Sequence, residues 1–269
     1  MADYYDIVLL ILAGCLGGFV SGLLGVGGGI IFVPILDYFL LKQGVITEDL
    51  VPYTLANSFF AVLISGLVGS IPAFKSKSID FNLLFVLGIS AIGAVLLTSY
   101  LINFGHWYSP KLFKLVFSFL LLLTLIKTLI PIDKHIGEVK MKMITVIGIG
   151  LITGLVSGLS GLGGGIVLIP LFMVFAHLDI KKASTLSLAT IPILALPNVL
   201  FYAFTSPVKN LSFSSGFIVW PLILPLIIGV LMTVKAGVLT ANKMSHTTIK
   251  FIFATFIIIN ILRLISTLI

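Results

Sequence analysis

Charge is what this chain has least of. Only 9% of its 269 residues are Asp, Glu, Lys or Arg, while 59% are hydrophobic. A water-soluble domain carries roughly a quarter charged residues, so that class is excluded. Thiols are scarcer still: Cys15 is the single cysteine and no internal disulfide can form. The four histidines, His106, His135, His177 and His246, are scattered and give no metal-ligand spacing. No Ser-His-Asp or Cys-His set can be assembled, so the sequence implies no catalytic residue, no metal site and no cofactor. The period-two alternation of a membrane β-barrel is also missing. What is present is a series of apolar runs of 18 residues or more along the whole length. They define an all-α polytopic membrane protein. The net charge of +7 sits in short loops between these runs. It therefore reads as the positive-inside bias, with the lipid bilayer and not nucleic acid as partner.

The first run contains a decoy. "LAGC", Leu12 to Cys15, imitates a lipoprotein cleavage box. The preceding "MADYYD" has two aspartates and no Lys or Arg, the wrong charge for a signal peptide, so the run is expected to stay in the mature protein.

The chain repeats itself. "VSGLLGVGGGIIFVP" (Val20 to Pro34) returns as "VSGLSGLGGGIVLIP" (Val156 to Pro170), 136 residues later, with ten identities in fifteen positions. The offset pairs Gly14 with Gly150 and Gly18 with Gly154, and it returns near the end of each half, where Ser109 matches Ser245. In between, the halves differ by a seven-residue shift. The densest charge cluster, "PIDKHIGEVKMK", is the joint. This predicts a first membrane repeat over 1–131, a charged linker over 132–142 and a second repeat over 143–269. Each repeat has one very long apolar segment and three ordinary ones: 7–41, 54–73, 81–104 and 111–130, then 143–178, 184–206, 212–235 and 247–269.

The long segment opening each repeat cannot be one straight span. Thirty-five helical residues would reach about 52 Å, against an apolar core of about 30 Å. Its glycine cluster, with a proline five residues on, predicts a broken helix, because each interior glycine costs about 1 kcal/mol. Gly14, Gly18 and Gly22, like Gly150, Gly154 and Gly158, recur every fourth residue and read as ridges for close helix packing. Gly27 to Gly29 are consecutive and cannot form one ridge, so their use is backbone freedom or backbone exposure.

Two topologies compete, and lysine placement separates them. Leaving out Lys114, Lys127, Lys250 and Arg263 inside helices, the remaining Lys residues divide six to six if the long segment crosses once. They divide nine to three if it is a re-entrant hairpin. The bias prefers the hairpin, which inverts the second repeat and puts both termini on the outer side of the membrane and the linker on the inner side. Inverted repeats with discontinuous helices and a central site are a recurrent transporter plan.

A helix broken inside the membrane exposes amides at the start of its second arm, and these attract anions. The candidate binding residues are therefore Gly25, Gly27, Gly28 and Gly29, with Gly161, Gly163, Gly164 and Gly165. Polar side chains open the second span of each repeat: Thr54, Asn57 and Ser58 in one, Ser184, Thr185 and Ser187 in the other. Asn57, Ser58 and Ser187 join the candidate set, against the alternative that such groups bond to their own helix or glue helices together. Asp37 is the one carboxylate near a segment centre. Its repeat partner is Met173, so a paired acidic cation site is not expected, and Asp37 is read as a cap at the outer end of its arm. Lys235 and Arg263, near predicted helix ends, are expected to snorkel to the interface. "GVGGGI" is no nucleotide fingerprint, since no strand precedes it and Ile30 stands where a glycine is needed.

The duplicated pattern, "GLLGVGGGIIFVP" and "GLSGLGGGIVLIP", resembles that of the TauE/SafE family, the sulfite exporters. The resemblance covers the whole chain. It extends to the second-span elements "TLANSF" and "ASTLSL", where Ser58 and Ser187 keep the family's serine and Asn57 and Leu186 replace its usual threonine. The resemblance implies a secondary transporter of small sulfur-containing oxyanions (sulfite, sulfonates or related organic anions) in the cell's inner membrane. Its site would lie at the repeat interface near the midplane. An anion-selective channel is the alternative. A membrane enzyme is the weakest reading, because Cys15 is the only thiol it could use.

Overall fold

The computed structural model describes residues 4–75, 81–105, 108–129, 142–209 and 211–266. Of the charged linker only Lys142 falls among them. His106, His135 and the side chains of Lys127, His246, Lys250 and Arg263 lie outside the described residues.

Each long apolar segment becomes two helices. The first is divided into α1 (Tyr4–Leu24) and α2 (Gly29–Lys42), and its counterpart into α6 (Met143–Ser160) and α7 (Gly165–Phe175). The ordinary segments form α3 (Thr47–Lys75), α4 (Phe81–Gly105), α5 (Pro110–Leu129), α8 (Ile180–Phe204), α9 (Trp220–Lys243) and α10 (His246–Ser266). Six of these helices, α1, α3, α4, α6, α8 and α9, are long and apolar enough to cross a bilayer. The chain is a multi-pass helical membrane protein.

Local chemistry explains most boundaries. Helix α3 starts seven residues before its apolar run because Glu48 and Asp49 in its first turn favour a helix N-terminus. The Asp179 carboxylate caps α8 by accepting from the Lys181 and Lys182 amides at 2.9 and 3.0 Å. The start of α9 also differs from the sequence reading. Residues 212–219 are not helical; Ser214–Ser215 (β1) and Ile218–Val219 (β2) pair antiparallel around Gly216, whose φ is +55°. Pro221 then starts α9, which continues to Lys243, so Lys235 lies two turns inside the helix and is exposed there.

The glycine ridges are helix contacts. Gly14, Gly18 and Gly22 of α1 lie on the backbone of α9 at Leu226, Val230 and Val234, and Gly229 and Gly237 return the contact onto Ile11 and Phe19. Residue numbers rise together, so α1 and α9 run parallel. Gly150, Gly154 and Gly158 put α6 on α4 in the same sense, at Leu87, Ala91 and Thr98. Between these pairs α3 and α8 cross in opposite directions: Gly66 lies on Ile191, and Gly69 on Leu188.

Helix α2 returns to the side where α1 began. From Asp6 to Leu24, α1 rises about 27 Å, and the fourteen residues of α2 come back about 21 Å. The open end is joined by Lys42 Nζ, which donates to both Asp6 carboxylate oxygens at 2.7 and 2.9 Å. Lys42 is nearly half exposed, so the pair is partly screened. Asp6→Asn is expected to destabilise the protein by about 1 kcal/mol or less. A double-mutant cycle with Lys42→Met, read as detergent melting temperatures, checks this.

Candidate functional site: two glycine elbows in contact

At the end of α1 the Gly25 amide still reaches the Ser21 carbonyl at 2.8 Å, and then the chain turns. Gly25, Gly27 and Gly28 have φ of +77°, +82° and +76°, and α2 begins at Gly29. The second elbow repeats this at Gly161, Gly163 and Gly164, with φ of +69°, +69° and +79°, before α7 begins at Gly165. A residue with a Cβ pays about 1–2 kcal/mol at each such φ, which is why three glycines serve each turn. Gly29 and Gly165 have a different reason. A Cβ on Gly29 would stand 2.8 Å from the Leu162 Cα, and one on Gly165 2.8 Å from the Val26 Cα. The two elbows touch backbone to backbone. Val62, midway along α3, and Ile191, midway along α8, pack on Gly27 and Gly163 alike. Residues 21–33 and 160–166 are all buried.

Each elbow is latched by the other half's second span. Ser58 Oγ donates to the Gly161 carbonyl at 2.7 Å, and Ser187 Oγ donates to the Gly25 carbonyl at 2.7 Å. Ser58 and Ser187 occupy matching places in the duplication, as do Gly25 and Gly161. The first elbow has an additional chain: Ser21 Oγ donates to Ser65 Oγ at 3.1 Å, and Ser65 Oγ to the Gly27 carbonyl at 2.8 Å. The amides of Val26 to Ile30 and of Gly163 to Ile166 have no hydrogen-bond partner among the described residues, and neither α2 nor α7 has a side-chain cap. Each elbow therefore presents uncapped N–H groups at a helix N-terminus, equivalent to about half a positive charge.

The candidate glycines, Ser58 and Ser187 meet at these elbows, but the serine protons are taken by carbonyls. Asn57 faces elsewhere. Its Nδ2 donates to the Tyr53 and Phe217 carbonyls at 2.8 and 2.9 Å, and its Oδ1 accepts from the Val219 amide at 2.9 Å. Of the other second-span hydroxyls, Thr185 bonds back to the Lys181 carbonyl, while the buried Thr54 Oγ1 has no partner among the described residues. Asp37 does not cap its arm. It lies inside α2 and faces Lys114 Nζ of α5 at 3.4 Å, because the returning arm packs Asp37 toward that helix. Among the described residues, no group of three His, Cys, Asp or Glu could hold a metal.

Sequence reasoning passed over two groups. Thr153 and Ser157, both fully buried on α6, have hydroxyls with no partner among the described residues, and their side chains pack on Gly164, just before α7, through the Thr153 methyl and the Ser157 Cβ. The signal is present in the repeat alignment: Thr153 stands where the first half has Gly17.

Long apolar helices, close glycine-ridge packing and two buried polar elbows define a multi-pass membrane protein with irregular backbone confined to its interior, as a bilayer requires. The profile described as "Sulfite exporter TauE/SafE" matches residues 10–264. The chain belongs to this family of membrane transporters. It is 28% identical over 253 residues to a "probable membrane transporter protein" of Methanocaldococcus jannaschii, covering 92% of this chain and 91% of that one. It is also 28% identical over 260 residues to one from Haemophilus influenzae, covering 94% and 96%. The probable membrane transporter protein YunE of Bacillus subtilis is 27% identical over 273 residues, covering 94% of each. No solved structure matches the chain.

Proposed function

We propose that the chain is a secondary transporter of small sulfur-containing oxyanions, built from two inverted repeats, with the anion site at the interface where their glycine elbows meet near the bilayer midplane. The observation that carries this reading is the reciprocal latch, Ser58 on Gly161 and Ser187 on Gly25, at the same 2.7 Å. A two-fold relation between the halves accounts for it. That relation pairs α3 with α8, and these two run in opposite directions, so the axis lies in the membrane plane. The parallel pairs α1 with α9 and α4 with α6 follow from the same operation. The anion is held by uncapped amides, and no buried acid among the described residues competes at the elbows. The elbows are enclosed by protein on all sides, which favours alternating access over a standing pore.

Lysine placement gives the orientation. Lys75, Lys142, Lys181, Lys182 and Lys243 lie toward one end of the bundle, where Lys181 Nζ reaches the Asn242 carbonyl at 3.2 Å. Lys42, Lys111 and Lys209 lie toward the other. The bias puts the first group in the cytoplasm and both termini outside an inner cell membrane. In a Cys15→Ser background, Gln43→Cys is expected to react with an impermeant maleimide on intact cells, and Lys142→Cys only after permeabilisation. The reverse pattern would overturn the orientation.

The function is tested in proteoliposomes with labelled sulfite, taurine and sulfoacetate. Saturable flux of at least one is expected. No flux of any of them with folded protein would sink the oxyanion reading, and unitary currents would replace the transporter by a channel.

A further inference from the structure

We infer that only the second elbow takes the anion, in a site completed by the hydroxyls of Thr153 and Ser157. This rests on the oxyanion reading above and adds which of two matching elbows is used. Hydroxyls inside these helices ordinarily bond back one turn. Thr98, Thr185 and Thr190 donate to the Ala94, Lys181 and Leu186 carbonyls at 2.8 Å each. Thr153 and Ser157 do not, although both are fully buried. Two neighbouring buried hydroxyls without partners are uncommon, because each loses its hydrogen bonds to water and gains nothing in return.

Their position gives them a task. They sit one turn apart on α6, and both side chains pack on Gly164, the residue before α7. A Cβ there would stand 2.6 Å from Thr153 Cγ2 and 3.8 Å from Ser157 Cβ. Around that point the amides of Gly163 to Ile166 are without partners among the described residues. The contacts on Gly164 are made by the Thr153 methyl and the Ser157 Cβ, and each of these side chains carries an O–H donor without a partner among the described residues, beside the N–H donors that open α7. That donor set fits the several acceptor oxygens of a sulfite or sulfonate group.

The first elbow has lost the equivalent arrangement at three positions. Gly17 replaces Thr153, so one hydroxyl is absent. Phe32, aligned with Leu168, lays its ring against Gly17 and within 2.8 Å of where a Gly28 Cβ would stand. Beside it the Gly17 carbonyl oxygen, an acceptor that repels anions, is 2.7 Å from the same point. Ser21, aligned with Ser157, is tied to Ser65, and Leu194 stands at the place of Ser65 in the second half. Leu194 cannot accept a proton from Ser157. The duplication has therefore diverged into one elbow closed by an aromatic ring and a serine pair, and one that keeps its donors free.

The test compares purified wild type, Thr153→Val, Ser157→Ala and Ser21→Ala by thermal shift and by proteoliposome flux, with sulfite and sulfoacetate as probes. Removing an unpartnered hydroxyl leaves the unliganded protein as stable or more so, so Thr153→Val and Ser157→Ala should keep their melting temperature without anion. Each should weaken the anion-induced shift and raise the half-saturating anion concentration about tenfold, as expected for losing a hydrogen bond to a charged ligand. Ser21→Ala should melt earlier without anion and keep its anion response. If wild type responds and the two α6 variants respond equally well, the assignment to the second elbow is wrong, as it is if Ser21→Ala abolishes the response. If wild type responds to neither probe in either assay, the oxyanion reading fails first and takes this inference with it.

Discussion

Gly25→Ala is expected to destabilise the folded protein severely, while the matching change Gly161→Ala weakens it less. Both residues have positive φ, and an alanine pays about 1–2 kcal/mol for that alone. Their surroundings then separate them. A Cβ on Gly25 would fall on the Ser184 side chain and within 2.7 Å of the Ser184 Cα and carbonyl oxygen, backbone that cannot give way without moving α8. A Cβ on Gly161 would meet the Leu55 Cδ2 at 2.9 Å and the Val33 Cγ2 at 3.4 Å, both ends of side chains that can rotate. Overpacking of the rigid kind adds about 1–3 kcal/mol. The sum for Gly25→Ala, about 2–5 kcal/mol, is a large part of the 5–15 kcal/mol that holds a typical domain together. Two further glycines calibrate the series. Gly44 has φ of +74° and open space around it, so Gly44→Ala should show the backbone cost alone. Gly93, in α4 with no neighbour within 4 Å and an ordinary φ, should gain up to about 1 kcal/mol as alanine. Melting temperatures in detergent should fall in the order Gly93→Ala, Gly44→Ala, Gly161→Ala, Gly25→Ala. If Gly25→Ala melted with Gly44→Ala, the close approach to Ser184 would not be a feature of the native elbow.

How much of this was legible depends on the distance over which each feature is decided. The apolar runs locate the helices because a bilayer demands some twenty consecutive residues, a local requirement. The spacing of Gly14, Gly18 and Gly22 announces close packing, although not that the partner is α9, more than 200 residues away. Residues 212–219 read as the start of a span because they are apolar enough, yet the turn at Phe213 and Gly216 and the proline at 221 delay the helix. Asp37 reads as a cap from its place near the end of a run. Only the return of α2 brings Lys114 to it, and no local pattern contains that contact. Asn57 and Ser58 are adjacent and equally polar, and nothing local tells which faces the elbow. Thr153 was visible as a difference between two copies, but a repeat is usually read for what it shares.

Asn57→Leu separates a ligand from a clamp. Buried completely, Asn57 has both amide hydrogens and one acceptor position committed to protein, so it has no proton to offer an anion. Two of its bonds hold the backbone of the β-turn before α9: the Phe217 carbonyl and the Val219 amide. Phe217 in turn packs edge-on against Tyr53 at 5.0 Å and Tyr202 at 5.9 Å, ring centre to ring centre. A leucine fills the volume and leaves two buried backbone groups without partners, at about 1–3 kcal/mol each. The Tyr53 carbonyl loses only a second acceptor bond, since it already serves its own helix. The melting temperature should therefore drop sharply, and protein that survives should keep its half-saturating anion concentration within about twofold, because the change in binding is small against 1.4 kcal/mol per decade. Asn57→Asp should be worse than Asn57→Leu. It keeps the acceptor for Val219 but turns the donor to Phe217 into a buried charge facing a carbonyl oxygen. A ligand role makes the opposite forecast: an unchanged melting temperature and an affinity lost by tenfold or more. That pair of results would move Asn57 from the frame of the site into the site itself.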